Sequence, residues 1–111
     1  MNDEIIKALL EAVKDESGVF WNDDDPRLTR YIKGAYKWAI HFNDNVDIEI
    51  TEDSLAFELI TQRARYQYNN ALDLFEDNYQ QLLNKFIVTL ALDKEALNNA
   101  TTTWKTELTP S

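Results

Sequence analysis

Cysteine is absent from the 111 residues, which removes disulfides, thiolate nucleophiles and thiolate metal sites together. Glycine occurs twice, at Gly18 and Gly34, too sparsely to build a loop that cradles phosphate. Histidine occurs once, and with no second His and no Cys beside it His41 is placed as a structural cation near a helix end. No apolar run approaches the roughly 20 residues of a membrane span, and Met1-Asn2-Asp3-Glu4 is acidic where a secretory signal is basic, so a cytosolic, membrane-free protein is expected. Positive charge is also scarce. Eleven Lys and Arg stand against twenty Asp and Glu, a net charge of −9 that opposes general binding to nucleic acid. Neither a nucleophile elbow nor zinc spacing occurs, and no carboxylate pair is singled out by its position. The expectation is a protein that is not an enzyme, with no catalytic, cofactor or metal residues.

What is present is helical pattern. With 44% hydrophobic residues the chain can fill one core, and its length suits one domain. Ile5, Ile6, Leu9, Leu10 and Val13 predict a first helix over 3–15, stopped at Ser17-Gly18, with Val19, Phe20 and Trp21 as an apolar plug behind it. The acidic run Asn22-Asp23-Asp24-Asp25 lacks the spacing of a calcium loop. Asp25 as N-cap before Pro26 accounts for it instead. Leu28, Ile32, Ala35, Ala39 and Phe42 then form the buried face of a second helix, flanked by Tyr31 and Trp38, with Gly34 marking a close backbone approach.

Val46, Ile48 and Ile50 alternate with acids over 46–50. The segment reads as a short extended stretch that crosses the helices or offers an edge to a neighbour. Thr51 is the expected cap of a long central helical region reaching Leu92, with Phe57, Ile60, Ala64, Ala71 and Phe75 inward. A straight helix of that length would measure about 60 Å, so a break is expected near Glu76-Asp77-Asn78. The composition past residue 97 predicts a flexible tail, 98–111, behind a helical domain, 1–97. The fold class is therefore all-α: a small four-helix domain with a long central helix, the extended segment and the tail.

Candidate working residues lie at surfaces. Arg27, Arg30, Lys33 and Lys37 gather on one side of the second helix, either as a solvated face or as a docking stripe for an acidic neighbour or phosphate. Arg63, Arg65 and Tyr66 fall off the core stripe and are placed to meet a neighbour. Trp104 and Leu108 do not suit a free tail. They either fold back or anchor on another subunit.

A short helix, an aspartate-rich break and a second helix are followed by Arg-x-Arg-Tyr-x-Tyr-Asn-Asn-Ala-x-x-x-Phe-Glu-x-Asn-Tyr over residues 63–79. This arrangement resembles the small head-tail connector (adaptor) proteins of tailed bacteriophages over roughly residues 3–92. The resemblance implies a helical subunit that assembles with copies of itself into a ring below the portal protein, in the host cytoplasm and then at the virion neck. It would meet the next connector or tail-completion protein on its other face and pass DNA as cargo without binding it. A second class is an acidic regulatory protein that inhibits a basic host protein through its charged surface.

Overall fold

The computed structural model describes residues 1–108, with side chains described through Glu95. Five α-helices follow one another: α1 (Asp3–Ser17), α2 (Asp25–His41), α3 (Leu55–Tyr68), α4 (Phe75–Asn78) and α5 (Gln80–Leu108), with one 3-10 turn at Leu72–Leu74. Among the described residues there is no strand.

Both ends of α1 have a side-chain or backbone cause. Asn2 Oδ1 accepts the Ile5 N–H at 2.9 Å and starts α1. Gly18, at φ 69°, ends it, donating its N–H to the Asp15 carbonyl while Val19 donates to that of Lys14. These two bonds form a Schellman motif, and Val19 is the apolar residue buried behind it. Phe20 and Trp21 do not follow Val19 inward, so the expected three-residue plug reduces to one side chain.

Asp24, not Asp25, precedes α2, and its carboxylate does not cap the helix. The helix starts on Asp25, and Pro26 follows in the first turn, which its fixed φ suits. Leu28, Ile32, Ala35, Tyr36 and Ala39 are the buried side of α2, and Phe42 only flanks the core. Gly34 is exposed, and a Cβ there would meet nothing within 4 Å. The expected close backbone approach at this position is absent. Past Phe42 the chain reverses through Asp44 and Asn45, both at positive φ, a region these two residue types tolerate better than most.

The 46–50 segment is extended but unpaired. The Tyr36 hydroxyl holds it, donating to Asp47 Oδ1 at 3.0 Å and accepting the Ile48 N–H at 3.2 Å, while Ile50 is buried. Burial of that hydroxyl raises the Tyr36 pKa, with Asp47 adding to the effect. Ser54 caps α3 in place of Thr51, accepting the Phe57 N–H at 3.1 Å.

α3 is the central helix, with 14 residues. It packs against both α1 and α2, so its buried face is wide: Ala56, Leu59, Ile60, Thr61, Gln62 and Ala64, while Phe57 is half-buried. Its end comes well before the expected break. Asn70 takes the left-handed conformation at φ 56°, its N–H bonds the Gln67 carbonyl, and Ala71 bonds that of Tyr66. This is a second Schellman pattern with Asn where Gly is usual. The chain then turns through the 3-10 segment into α4 and breaks again at Tyr79, beside the break expected at Glu76-Asp77-Asn78, so the helical region expected over Thr51–Leu92 carries two breaks where one is expected.

α5 has 29 residues and spans about 44 Å. Leu83 and Phe86 bury its first half against the body, whereas Val88 and Leu92 face outward. Lys94 ties α5 to the α2–α3 connection through Asp44 at 2.8 Å, and this bond and charge hold the Asp44 carboxyl below its ordinary pKa.

The two glycines should respond oppositely. Gly34→Ala should raise stability by about 1 kcal/mol, because the helical site is open and Ala is the better helix former. Gly18→Ala should lower it by about 1–2 kcal/mol, because its φ suits glycine. Urea midpoints at constant slope check both.

Candidate interaction surface

On α2, the four cations of the basic stripe are exposed. Advancing about 100° per residue, Arg30, Lys33 and Lys37 sit roughly opposite the Leu28, Ile32, Ala35 and Ala39 stripe. No carboxylate within 4.0 Å pairs with these three among the described residues. Arg27 differs. It pairs with Asp24 at 3.3 Å and lies over the Tyr68 ring at 5.0 Å, which draws it toward the α1–α2 turn.

The α3 residues expected to face a neighbour are engaged within the chain. Arg63 is half-buried over the Trp38 ring at 5.1 Å, and burial lowers its pKa while Glu76 opposes the shift. Arg65 donates to Gln62 Oε1 at 2.6 Å, reaches Glu16 at 3.5 Å and lies over Tyr66. Buried Gln62 donates in turn to Glu16 at 3.0 Å and to Glu58 at 3.3 Å. Tyr66 meets Phe75 and Tyr79 edge-on and accepts a hydrogen bond from Asn78 at 2.9 Å. The Arg63-to-Tyr79 run thus fastens α3 to α4. Trp104 and Leu108 lie outside the described side chains. His41 is exposed, with its ring edge-on to Phe42.

Sequence patterning missed the turn joining α1 to α2. Phe20 is 91% exposed and Trp21 48% exposed. The turn is nonetheless well tied. Asp24 Oδ2 accepts from Trp21 Nε1 at 3.0 Å and from the Tyr68 hydroxyl at 2.7 Å, while Oδ1 faces Arg27. Lys14 donates to Asn22 and to Asp25, each at 2.8 Å. Phe20 is therefore held out in water by a braced turn, with Asp15, Glu16 and Asp23 exposed around it in sequence.

A second unassigned feature lies at the other end of the α1–α2 hairpin. Met1 and Ile6 from the start of α1, with Tyr36 and Ile40 from late α2, line an open recess of about 360 Å³ rimmed by Lys33, Lys37 and Asp47. Ile40 was the available signal, being an apolar residue off the core stripe of α2. A larger depression of about 450 Å³ on the α4–α5 junction, lined by Asn78, Tyr79, Gln81, Leu82 and Lys85, carries a single charged side chain. Among the described residues no three His, Asp or Glu side chains are grouped to hold a metal ion, and no helix is long and apolar enough to cross a membrane.

The Asp24 carboxyl sits below its ordinary pKa, chiefly through the Trp21 hydrogen bond, then that of Tyr68, with Arg27 adding and burial opposing. A carboxyl whose pKa is depressed by folding contributes stability above its unfolded pKa and loses it as pH falls through the folded value. Asp24→Asn should therefore be less stable than the wild type near pH 7, with the gap closing below the ordinary carboxylate range. Urea midpoints of the two proteins at several pH values check this, and a gap independent of pH contradicts it.

No family model matches the sequence, and neither a curated protein nor a solved structure is significantly similar to it.

Proposed function

We propose that this chain is a structural subunit of a phage head-tail connector ring, docking below the portal, continuing the DNA channel and joining the head to the tail. The observation that carries the reading is the outer face of α2. Arg30, Lys33 and Lys37 stand there without carboxylate partners among the described residues, on a chain whose net charge is −9. A copy of such a chain carries both halves of a charge-complementary contact, which favours head-to-tail association between identical subunits. The likeness of residues 63–79 to phage connectors gives that association its setting.

The charge balance suits a passage for DNA. An acidic wall repels the duplex and lets it slide, where a basic wall would hold it through phosphate contacts. On α5, exposed Val88 and Leu92 supply further surface for the portal or the next ring. The subunit performs no turnover. Its work is the geometry of assembly.

Light scattering and negative-stain imaging of the protein with its cognate portal should show concentration-dependent or portal-dependent rings. Arg30→Glu with Lys33→Glu should weaken them, and salt should weaken the wild-type contact as it screens exposed charge. A chain that stays monomeric with the portal at every concentration and salt level overturns the proposal. If that monomer captures a basic protein instead, it acts as an acidic inhibitor.

A further inference from the structure

The braced turn and the cation-rimmed recess form a complementary pair. We infer that Phe20 of one copy seats in the Met1/Ile6/Tyr36/Ile40 recess of the next copy, with the acids around Phe20 facing Lys33 and Lys37. The inference rests on the ring reading and identifies the surfaces that make the subunit contact.

Three observations carry it. First, Phe20 is the most exposed large apolar side chain among the described residues, and it sits on a turn fixed by the Schellman bonds, the Asp24 bonds and Lys14. A braced aromatic loses little freedom on docking, which is the property of an interface anchor. Secondly, the recess of about 360 Å³ has apolar walls and room for a phenyl ring. Its rim carries Lys33 and Lys37, whereas exposed Asp15 and Asp23 neighbour the anchor in sequence. Asp47, the acid on the rim, accepts the Tyr36 hydroxyl hydrogen at 3.0 Å.

Thirdly, anchor and recess lie at opposite ends of one helical hairpin. The run of α1 from Ile6 to Ser17 separates them by about 17 Å, so Phe20 cannot reach the recess of its own chain. Contact between different patches on two identical copies is heterologous, the type that generates rings when the rotation closes. The occupant is therefore a second copy of this chain.

The absence of native cysteine makes the test clean. Asp23→Cys and Lys37→Cys chains, mixed and treated with a short thiol cross-linker, should give a covalent dimer that neither variant gives alone. Phe20→Ser, with its helical circular dichroism unchanged, should abolish the cross-link and raise the concentration for half-assembly by about tenfold or more. Lys37→Glu should also weaken assembly, and adding Asp23→Lys should restore it. An oligomer that survives Phe20→Ser overturns this contact while leaving the ring reading standing. A chain that forms no oligomer even with the portal overturns both.

Discussion

Phe75 is the side chain on which the arrangement of the second half of the molecule depends. It is 1% exposed, meets Trp38 edge-on at 5.4 Å and Tyr66 edge-on at 5.7 Å, and stacks on Tyr79 at 5.2 Å. These contacts join α2, α3 and the α4–α5 junction through one ring. Such aromatic pairs add to the burial of the ring itself, and losing a buried Phe costs about 3–5 kcal/mol. Phe75 can occupy this position only because the chain leaves α3 at Asn70. Had α3 continued straight, residue 75 would have travelled about 10 Å beyond the body along the helix axis.

That dependence explains which parts of the fold were legible in the residues. Gly18 announced its helix end because glycine is the usual carrier of the left-handed conformation, and the end lies where Ser17-Gly18 placed it. Asn70 performs the same office less recognisably, since Asn is also common in exposed loops, whereas the acidic cluster 76–78 does mark the second break, at Tyr79. Asp25 reads as the cap because it directly precedes Pro26, yet Asp24 holds that position. The choice was made by distant partners, Tyr68 above all, which claims the Asp24 carboxylate from 44 residues away. Tyr36 escaped notice because a half-polar side chain is ambiguous until the 46–50 segment supplies Asp47 and Ile48 for its hydroxyl.

The surface was legible in charge and illegible in aromatics. Lys33 and Lys37 are exposed as their helical spacing required, because nothing apolar competes for that side of α2. Arg63, Arg65 and Tyr66 also sat off the apolar stripe, but α3 packs on two helices at once, and a helix with two packed sides engages residues beyond a single stripe. Their cationic and aromatic groups are held by Trp38, Glu16 and Phe75. The converse holds for Phe20. Apolar character placed it inside, yet the Val19 contact already completes the Schellman motif and leaves no covered volume for the next ring.

An exposed Phe on a disordered loop is ordinary, since much of any protein surface is apolar. An exposed Phe on a turn held by a carboxylate, a lysine and two backbone bonds is a different object. The bracing bonds order seven residues between α1 and α2 and keep an apolar ring in water, both of which oppose stability in the isolated chain. Association reverses that balance. The ordering is already complete in the free subunit, so a neighbour that covers the ring gains its burial without a further ordering cost. The acid-rich sequence around it guards the same patch, because like charges discourage two anchors from meeting each other while Lys33 and Lys37 admit them at the recess. In the proposed contact, charge selects the partner patch and the aromatic ring supplies the burial.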